Sequence, residues 1–260
     1  MSSTNFSAVV PAAGLGTRMK SKNPKFLHKL AGRTIISHIL YSLNPVVDEI
    51  VVVVGNGKEL VEKEIKSTCE PFFDKIVFVE QGELLGSGHA VKMGLTGLSS
   101  EAENVMVVLG DTPLLDALVL TEMRDLFKSK NCDVLVSTAH LEDPFGYGRI
   151  VRDENEIIKQ IVEEKDCDDA QKTIDECNMY PFVFKREFLE VALDKLDTNN
   201  AQGEQYLTDV VTIARESSKG VSSYTYINAH VARGVNDREQ LAELEKIMRD
   251  TINAEHMKNG

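Results

Sequence analysis

Two cations follow a glycine-containing loop near the start of the chain, and together they could bind an anion. Residues 8–10 are apolar, Gly14 and Gly16 lie in the loop that follows, and Arg18 and Lys25 come shortly after it. A buried strand that runs into such a loop brings backbone N–H groups close to a ligand, because glycine has no side chain to hold it away. The cations would neutralise charge that the amides cannot. The stretch therefore indicates a phosphate-binding loop.

This loop differs from the two common glycine-rich phosphate motifs. A Walker A loop would continue with Lys-Ser or Lys-Thr, but Gly16 is followed by Thr17 and Arg18. A dinucleotide fingerprint would have a third glycine where Met19 stands. A glycine-rich turn between a strand and a helix, with no ligand, remains the alternative interpretation.

A carboxylate at the end of another apolar run could hold a metal ion. Asp111 follows residues 105–109 and precedes Thr112 and Pro113. Mg²⁺ takes few carboxylates and completes its shell with phosphate oxygens and water, so one aspartate beside a bound nucleotide suits it. The alternative is that Asp111 caps a helix that begins after Pro113. The nearby glycine loop and its cations favour the metal.

A third stretch, residues 81–90, combines an amide with two glycines. Gly86 and Gly88 open a predicted helix, and Ser87 is placed to cap it. Gln81 carries a donor and acceptors, as the recognition of a base edge requires. His89 is interpreted as an ordinary residue of the first helical turn.

The first half of the chain alternates strand-like and helix-like segments that would position these residues. Strands are predicted at 7–11, 49–54, 75–79, 105–109 and 133–137, and helices at 35–43, 58–67, 86–98 and 118–128. The strands are continuous apolar runs, which indicates a parallel sheet covered by helices on both faces. Ligands of such sheets bind at the carboxyl ends of the strands, so Gly14 and Asp111 are expected to face one crevice.

The second half has weaker patterns. A turn leading into a strand is predicted at 145–151, and further strands at 156–162, 179–184 and 224–227. Helices are predicted at 188–196, 206–215 and 237–256, and loops at 167–176 and 198–203.

Composition narrows the class of protein. The 260 residues carry 41 acidic against 29 basic side chains, a formal charge of −12, which argues against a nucleic-acid partner. No apolar run approaches the length of a membrane span, and no signal peptide is evident at the N-terminus. Four cysteines lack metal-binding spacing and are expected to be reduced thiols of a cytoplasmic protein, with a bridge between Cys167 and Cys177 as the alternative.

Eight segments, in order along nearly the whole chain, carry a family resemblance. They are residues 12–19, 24–25, 85–90, 110–114, 146–151, 161–163, 199–204 and 234–236. The chain resembles the N-terminal uridyltransferase domain of the bacterial bifunctional N-acetylglucosamine-1-phosphate uridyltransferase / glucosamine-1-phosphate acetyltransferases. The Gly-Tyr-Gly-Arg run at 146–149 and the Asn-Asn-Ala-Gln-Gly-Glu run at 199–204 are specific to this branch. The resemblance implies a Rossmann-like α/β fold, with a mixed, mostly parallel central sheet, as in nucleotide-diphospho-sugar transferases.

The resemblance also implies roles for single residues. Arg18, Lys25 and Asp111 would be catalytic, and Asp111 and Asn236 would bind Mg²⁺. Gly148, Glu163 and Asn178 would contact the sugar. The nucleotide-binding positions would be Pro11, Ala12, Ala13, Gly14, Gly16, Gln81, Gly86, Ser87, Leu109 and Gly110.

The implied reaction is uridylyl transfer from UTP to N-acetylglucosamine 1-phosphate, which yields UDP-N-acetylglucosamine and pyrophosphate. An alternative within the fold is transfer with another base or acceptor, such as cytidylyl transfer to a polyol phosphate, and Pro11 is shared with such enzymes. An NAD-dependent oxidoreductase would need an acid after the second strand, where residues 54–57 have none. A binding protein that had lost activity would tolerate the loss of Lys25, Asp111 or Asn236, all of which are present.

Two departures from the family pattern bear on the sugar and on the chain's organisation. After Asn178 the family continues with Thr-Gly, but this chain has Met179 and Tyr180, which leaves sugar selectivity open.

Residues 1–236 are expected to form the nucleotidyltransferase domain. Residues 237–260 would be a helix that leads to the place where a β-helix acetyltransferase domain begins in the family. Without that domain the chain is expected to be a monomer, and with it a trimer.

Overall fold

The computed structural model describes residues 5–55 and 57–260. Its centre is a nine-stranded sheet in which seven strands lie in one continuous order, β11-β7-β10-β6-β1-β4-β5. The described residues form eleven strands, nine in this sheet and two, β2 and β3, in a separate pair. They are β1 Phe6–Ala12, β2 Lys29–Leu30, β3 Arg33–Thr34, β4 Glu49–Val54, β5 Ile76–Glu80, β6 Asn104–Val107, β7 Val134–His140, β8 Arg149–Arg152, β9 Ile158–Val162, β10 Glu176–Lys185 and β11 Val221–Thr225.

The described part of the chain contains seven α-helices. They are α1 Ile35–Leu43, α2 Lys58–Thr68, α3 Ser87–Leu95, α4 Ala117–Lys130, α5 Arg186–Leu193, α6 Asp209–Glu216 and α7 Arg238–Asn259. Apolar residues of α1, α2 and α4 pack on one face of the sheet, and those of α3, α5 and α6 pack on the other. The predicted fold, a mixed and mostly parallel sheet between two helical layers, is confirmed.

Strand β10 runs antiparallel to both of its neighbours in that order, β6 and β7. The pairs β1–β4, β1–β6, β4–β5 and β7–β11 are parallel. Two further strands, β8 and β9, form an antiparallel extension from β10. The glycine loop therefore follows a strand of the parallel part of the sheet, while β8–β10 form a separate antiparallel wing.

Several predicted boundaries are wrong. The strand predicted at 105–109 ends at Val107, and the strand predicted at 179–184 spans Glu176–Lys185, which takes in the last residue of the predicted 167–176 loop. The late strand is Val221–Thr225 and not 224–227, because Val221 pairs with Val134 of β7. Its residues are mostly half-buried, so the pattern was weak. The helix predicted from residue 206 begins at Asp209.

A small hairpin and the last helix close the structure beside the glycine loop. Strands β2 and β3 pair antiparallel. Leu244 of α7 packs with Leu30 and Ile35 in a third apolar cluster, which also contains Met19 from the loop. The segment 238–259 is thus attached to the same body as the loop.

Candidate active site

A cavity of about 320 Å³ lies at the carboxyl ends of the parallel strands. Residues from separate parts of the chain line it, among them the glycine loop, the segment around Lys25, the start of α3 and the turn after β6. They include Gly14 and Asp111, so the structure brings these two residues to one crevice, as the sequence predicted. The lining residues are Pro11, Ala13, Gly14, Lys25, Phe26, Gln81, Leu84, Gly86, Ser87, Ala90, Leu109, Asp111 and Glu204.

The glycine loop packs directly against Lys25. Gly16 has a φ of +58°, and a Cβ built on it would lie 2.7 Å from the Cβ of Lys25. A side chain at this position would displace the lysine or the loop, because real Cβ atoms do not approach so closely. Gly16 is not among the residues that line the cavity, so its contribution is to hold the loop and Lys25 together.

Lys25 is buried and joins two residues that the sequence assigned to a metal site. Its ammonium group forms an ion pair with Oδ2 of Asp111 and lies 3.3 Å from Oδ1 of Asn236. The other carboxylate oxygen of Asp111, Oδ1, is buried and has no hydrogen-bond partner among the described residues. One cation can therefore be shared by an Asp111 oxygen and an Asn236 oxygen, and a further carboxylate oxygen is available to bind one.

The turn that carries Asp111 is fixed by the segment before α7. The backbone N–H of Val235 donates to the Asp111 carbonyl at 2.8 Å, and a Cβ on Gly234 would lie 3.1 Å from Asp111 Oδ1. The backbone N–H of Asn236 donates to Oε1 of Gln240 at 2.8 Å. These contacts hold Asp111 and Asn236 next to each other although 125 positions separate them.

The alternative role of Asp111 as a helix cap is wrong. Helix α4 begins at Ala117, and Asp116 caps it by accepting a hydrogen bond from the Val119 N–H at 2.9 Å. Asp111 is left for the cavity.

An amide directly after β5 lies at the cavity wall, against the start of α3. Gln81 is buried, and its Nε2 lies 3.3 Å from both the Gly86 carbonyl oxygen and Nδ1 of His89. These contacts orient the side chain of Gln81. His89 is therefore a positioning contact as well as an ordinary residue of the first turn, which its sequence context did not show.

Ser87 does not cap α3, contrary to prediction. No side chain in the described part of the chain caps this helix, and the Ser87 hydroxyl instead accepts a hydrogen bond from the Leu207 N–H at 3.0 Å. The reason is a close approach of the chain near residue 205. Gly86 has a φ of +119°, and a Cβ on it would lie 2.6 Å from the Gln205 carbonyl oxygen, which accepts from the Gly88 N–H at 2.8 Å. The two glycines thus let residues 204–207 form one side of the site.

The three predicted sugar contacts lie together on the antiparallel wing. The Asn178 N–H donates to the Gly148 carbonyl at 2.7 Å, and a Cβ on Gly148 would be 3.6 Å from Oε2 of Glu163. Asn178 is only 8% exposed, and its Oδ1 has no hydrogen-bond partner among the described residues. A buried amide oxygen without a partner is costly, so this oxygen is suited to a donor supplied by a ligand.

Glu163 lies among polar and acidic groups. Its Oε1 accepts a hydrogen bond from the Thr208 hydroxyl at 2.9 Å. Burial raises the pKa of the Glu163 carboxyl, as do the charges of Asp209 and Asp166, while the Thr208 hydrogen bond opposes the rise. Glu163 also borders a second cavity of about 540 Å³, between β9 and α6, whose lining includes Asp209.

Other predicted residues stay away from the cavity. Arg18 is exposed in a short 3-10 helix, Thr17–Met19, and does not line the cavity. Ala12 and Gly110 are buried beneath it; a Cβ on Gly110 would lie 3.0 Å from the Pro11 carbonyl oxygen. They support the lining residues and do not border the cavity.

Sequence reasoning missed Arg238, which fixes the glycine loop. Its Nε donates to the Met19 carbonyl at 2.9 Å, and its Nη2 donates to the Lys20 carbonyl at 3.1 Å. The first residue of α7 therefore holds the end of the loop. No local signal marks this arginine, because its partners are backbone carbonyls far away in the chain.

Three further observations concern the described residues as a whole. All four cysteines are free and buried. No group of three or more His, Cys, Asp or Glu side chains suited to a metal occurs within residues 5–55 and 57–260. Over the same residues, no helix combines the length and the apolar character that crossing a membrane would require.

Comparison with known proteins shows relatives that cover nearly the whole chain. It is 41% identical over 254 residues to the bifunctional protein GlmU of Enterococcus faecalis and 42% identical over 260 residues to that of Streptococcus mutans. These matches cover 97% and 99% of this chain but 54% of each relative, so the chain spans about half the length of the curated relatives it matches.

The fold is shared with solved pyrophosphorylases. A crystal structure of UDP-glucose pyrophosphorylase in complex with UDP-glucose matches with a TM-score of 0.74 at 19% identity, covering 95% of this chain and 99% of that one. The apo structure of a UDP-glucose pyrophosphorylase matches with a TM-score of 0.75 at 18% identity, covering 95% and 98%. Residues 8–213 match the model of the MobA-like NTP transferase domain. With that domain spanning both the glycine loop and the antiparallel wing, the chain belongs to the MobA-like NTP transferase family of nucleotidyltransferases.

Proposed function

We propose that this chain transfers a uridylyl group from UTP to N-acetylglucosamine 1-phosphate, with Mg²⁺ as cofactor. The observation that carries the proposal is the cluster of Lys25, Asp111 and Asn236 beside the glycine loop, with one oxygen of Asp111 unpartnered among the described residues. Two relatives that are 41% and 42% identical, both bifunctional GlmU proteins, support the choice of reaction.

The cavity is the proposed nucleotide site. Pro11, Ala13 and Gly14 border it with little side-chain bulk, so backbone groups of the loop can approach the phosphates closely. The amide of Gln81 lines the same cavity and would read the edge of uracil, with Gly86 and Ser87 beside it. Arg18 is exposed on the loop, so its long side chain can turn toward the phosphates.

The side chains of Asp111 and Asn236 fit a magnesium ion. Each contributes an oxygen to the same cation in the structure, the ammonium of Lys25, and Oδ1 of Asp111 has no other partner in the described part of the chain. Oxygen ligands in small number are what Mg²⁺ takes when phosphates and water complete its shell. When bound, Mg²⁺ would stabilise negative charge on the phosphates during transfer.

The antiparallel wing is the proposed acceptor site. The carboxylate of Glu163 can accept hydrogen bonds from sugar hydroxyls, and Oδ1 of Asn178 can accept one from an amide N–H. An N-acetylated sugar carries such an N–H. Gly148 provides space beside both side chains.

The chemistry requires alignment and charge neutralisation. An oxygen of the sugar 1-phosphate attacks the α-phosphorus of UTP, a new P–O bond forms, and the bond between the α-phosphorus and its bridging oxygen to the β-phosphate breaks, releasing pyrophosphate. The attacking phosphate oxygen is ionised at neutral pH, so no general base is needed. Lys25 supplies a positive charge at the site of transfer, and the loop fixes the triphosphate for in-line attack.

A panel of substrates tests the proposal. Pyrophosphate release would be measured with Mg²⁺ for UTP, CTP, dTTP and ATP, each combined with N-acetylglucosamine 1-phosphate, glucose 1-phosphate or a polyol phosphate. We expect the highest kcat/KM for UTP with N-acetylglucosamine 1-phosphate. Activity with CTP and not UTP, or with a non-acetylated acceptor and not N-acetylglucosamine 1-phosphate, would contradict it.

A further inference from the structure

Glu204 brings a second carboxylate, besides that of Asp111, to the lining of the nucleotide cavity. It is half-buried, and within residues 5–55 and 57–260 its carboxylate has no hydrogen-bond donor and no cation as a partner. The ammonium of Lys25 pairs with Asp111 instead. A free carboxylate therefore borders the cavity in which we place a polyanionic nucleotide.

The Asn-Asn-Ala-Gln-Gly-Glu run at 199–204 forms the turn that carries this carboxylate. The side-chain amide of Asn200 donates to the Glu204 carbonyl at 2.6 Å, and the Glu204 N–H donates to Oδ1 of Asn200 at 3.2 Å. Gly203 has a φ of +65°, and its N–H donates to the Asn200 carbonyl at 3.1 Å. Both backbone groups of Glu204 are thus used within the turn, which leaves its side chain to border the cavity.

The turn is attached to the body of the protein on two sides. The Ala201 N–H donates to Oδ1 of Asp166, just beyond β9, at 2.8 Å. The Gln205 N–H donates to the Leu85 carbonyl, just before α3, at 2.8 Å. Because the backbone is held before and after Glu204, the carboxylate is fixed in place before a ligand arrives.

Glu204 lies at the nucleoside end of the cavity. A Cβ built on Gly86 would be 3.0 Å from the Cβ of Glu204, and Nε2 of Gln81, the proposed contact of the base, is 3.3 Å from the Gly86 carbonyl oxygen. A carboxylate beside the phosphates would repel them. The part of the nucleotide between the base and the phosphates is the ribose. Its two hydroxyls are donors, and a carboxylate only accepts.

We infer that Glu204 is a specificity-determining residue of the nucleotide site: its carboxylate accepts hydrogen bonds from the ribose hydroxyls and so selects ribonucleotides over deoxyribonucleotides. This inference rests on the proposed function for the identity of the nucleotide. The other group that the carboxylate could bind is the acceptor, because the charge of Glu204 contributes to the raised pKa of Glu163. Glu204 does not, however, line the second cavity, which Glu163 borders.

The test removes the same contact from the protein and from the ligand. The kcat/KM with Mg²⁺ and N-acetylglucosamine 1-phosphate would be measured for UTP, 2′-deoxy-UTP and 3′-deoxy-UTP, in the wild type and in Glu204→Ala. Calorimetry would give the Kd of each nucleotide without an acceptor. Glu83→Ala is the matched control, because Glu83 is an exposed acid close to the cavity that does not line it.

We expect the wild type to prefer UTP over the deoxy analogues by about 10- to 100-fold in kcat/KM and in Kd, the range for a hydrogen bond to a charged group. Glu204→Ala should weaken UTP by a similar factor but change the analogues by less than about threefold, since the contact is already missing from them. The KM for the acceptor in Glu204→Ala, and every value in Glu83→Ala, should stay within about twofold of the wild type.

Equal losses for UTP and for both analogues in Glu204→Ala would overturn the inference. So would a change confined to the acceptor KM, which would assign the carboxylate to the acceptor, or a change in the ratio of UTP to CTP alone, which would assign it to the base. If the melting curve shows that Glu204→Ala does not fold, Glu204→Gln decides. A loss of about fivefold for UTP alone supports the contact, and an equal loss for the analogues overturns it.

Failure of the proposed function is seen separately, as use of a different nucleoside triphosphate by the wild type. The same comparison is then made with that nucleotide and its deoxy analogues. Equal losses in Glu204→Ala would still overturn the role of Glu204, and a loss restricted to the ribonucleotide would support it.

Discussion

The proposed nucleotide site and the proposed acceptor site, called here the nucleotide half and the acceptor half, are built by different means. In the nucleotide half, short loops after parallel strands meet, and close backbone packing at Gly16 and Gly86 fixes them. Its charged groups, Lys25 and Asp111, are already paired with each other. In the acceptor half, side chains project from antiparallel strands, and the buried Asn178 Oδ1 has no partner among the described residues.

This difference indicates how each half responds to change. In the nucleotide half, Lys25 and Asp111 are paired, and only Oδ1 of Asp111 is left without a partner among the described residues. A substitution there disturbs this pair, on which transfer to every acceptor would depend. The acceptor half has an open hydrogen-bonding position, so a substitution there should alter which acceptor is used and how tightly. Changes in kcat common to all acceptors and changes in KM for one acceptor are therefore the two signatures to compare.

The largest effect is expected for Asp111→Asn. This change removes the negative charge at the proposed metal site but keeps an oxygen near Lys25, so kcat should fall about 10³-fold, by analogy with the loss of one transition-state stabilising group. The fall should be the same for every acceptor in a pyrophosphate-release assay. Asp116→Asn is the matched control, because asparagine also caps helices and Asp116 lies outside the cavity. An equal loss in the control would contradict a special role for Asp111.

A backbone change tests the packing that joins the halves. In Gly86→Ala the new Cβ would meet the Gln205 carbonyl oxygen at 2.6 Å, and the alanine would have to adopt a φ of +119°. We expect a loss of about 3 kcal/mol in the free energy of unfolding, measured by denaturant titration, from strain and displacement of residues 204–207. In Gly203→Ala, where φ is +65° and no atom would lie within 4 Å of the Cβ, the cost should be about 1 kcal/mol. Equal costs would show that the close approach is unimportant.

The acceptor half is tested by Glu163→Gln. Loss of the carboxylate should raise the KM for the sugar 1-phosphate about 10- to 100-fold, the range for a hydrogen bond to a charged group, with the KM for UTP unchanged. Glu142→Gln, an exposed change elsewhere on the surface, should have no effect. A parallel rise in the KM for UTP would mean that the two halves do not act separately.

The smallest expected effect is on the pH dependence of stability, and it comes from Asp209, which lines the same cavity as Glu163. Burial and the nearby Asp197 and Asp166 raise the pKa of Asp209 to about 6. A carboxyl whose pKa is higher in the folded state binds its proton more tightly there than in the unfolded chain. The free energy of unfolding therefore falls as the pH rises from about 4 to about 6 and the folded protein loses that proton.

Asp209→Asn removes that penalty. After allowance for the partial exposure of Asp209, we expect the free energy of unfolding to rise by about 1 kcal/mol at pH 8, which corresponds to a rise of about 2–4 °C in Tm. At about pH 4 we expect no rise. Thermal melts of both proteins across this range measure it. A stabilisation that does not depend on pH would contradict the raised pKa.

The nucleotide half was largely predictable from the sequence because its signals are local. A glycine loop after an apolar strand and an aspartate after another such strand meet wherever parallel strands share one edge. A parallel sheet covered by helices followed from the same pattern, whereas its mixed character was implied by the family resemblance. The capping role of Ser87 was mistaken because the partner of its hydroxyl, the Leu207 N–H, lies 120 positions away.

The acceptor half depended on pairing that periodicity does not encode. That β10 would lie between β6 and β7, and would carry β8 and β9, follows from long-range register. The grouping of Gly148, Glu163 and Asn178 was therefore implied only by family resemblance. The contact of Arg238 with the loop had no sequence signal either.

The most direct test is a crystal structure with UDP-N-acetylglucosamine and Mg²⁺ bound. We predict the uracil beside Gln81, the metal on Asp111 and Asn236, and the acetamido N–H on Oδ1 of Asn178. A sugar nucleotide bound with its sugar away from β8–β10, or a metal that does not contact Asp111, would contradict the division of the site into these two halves.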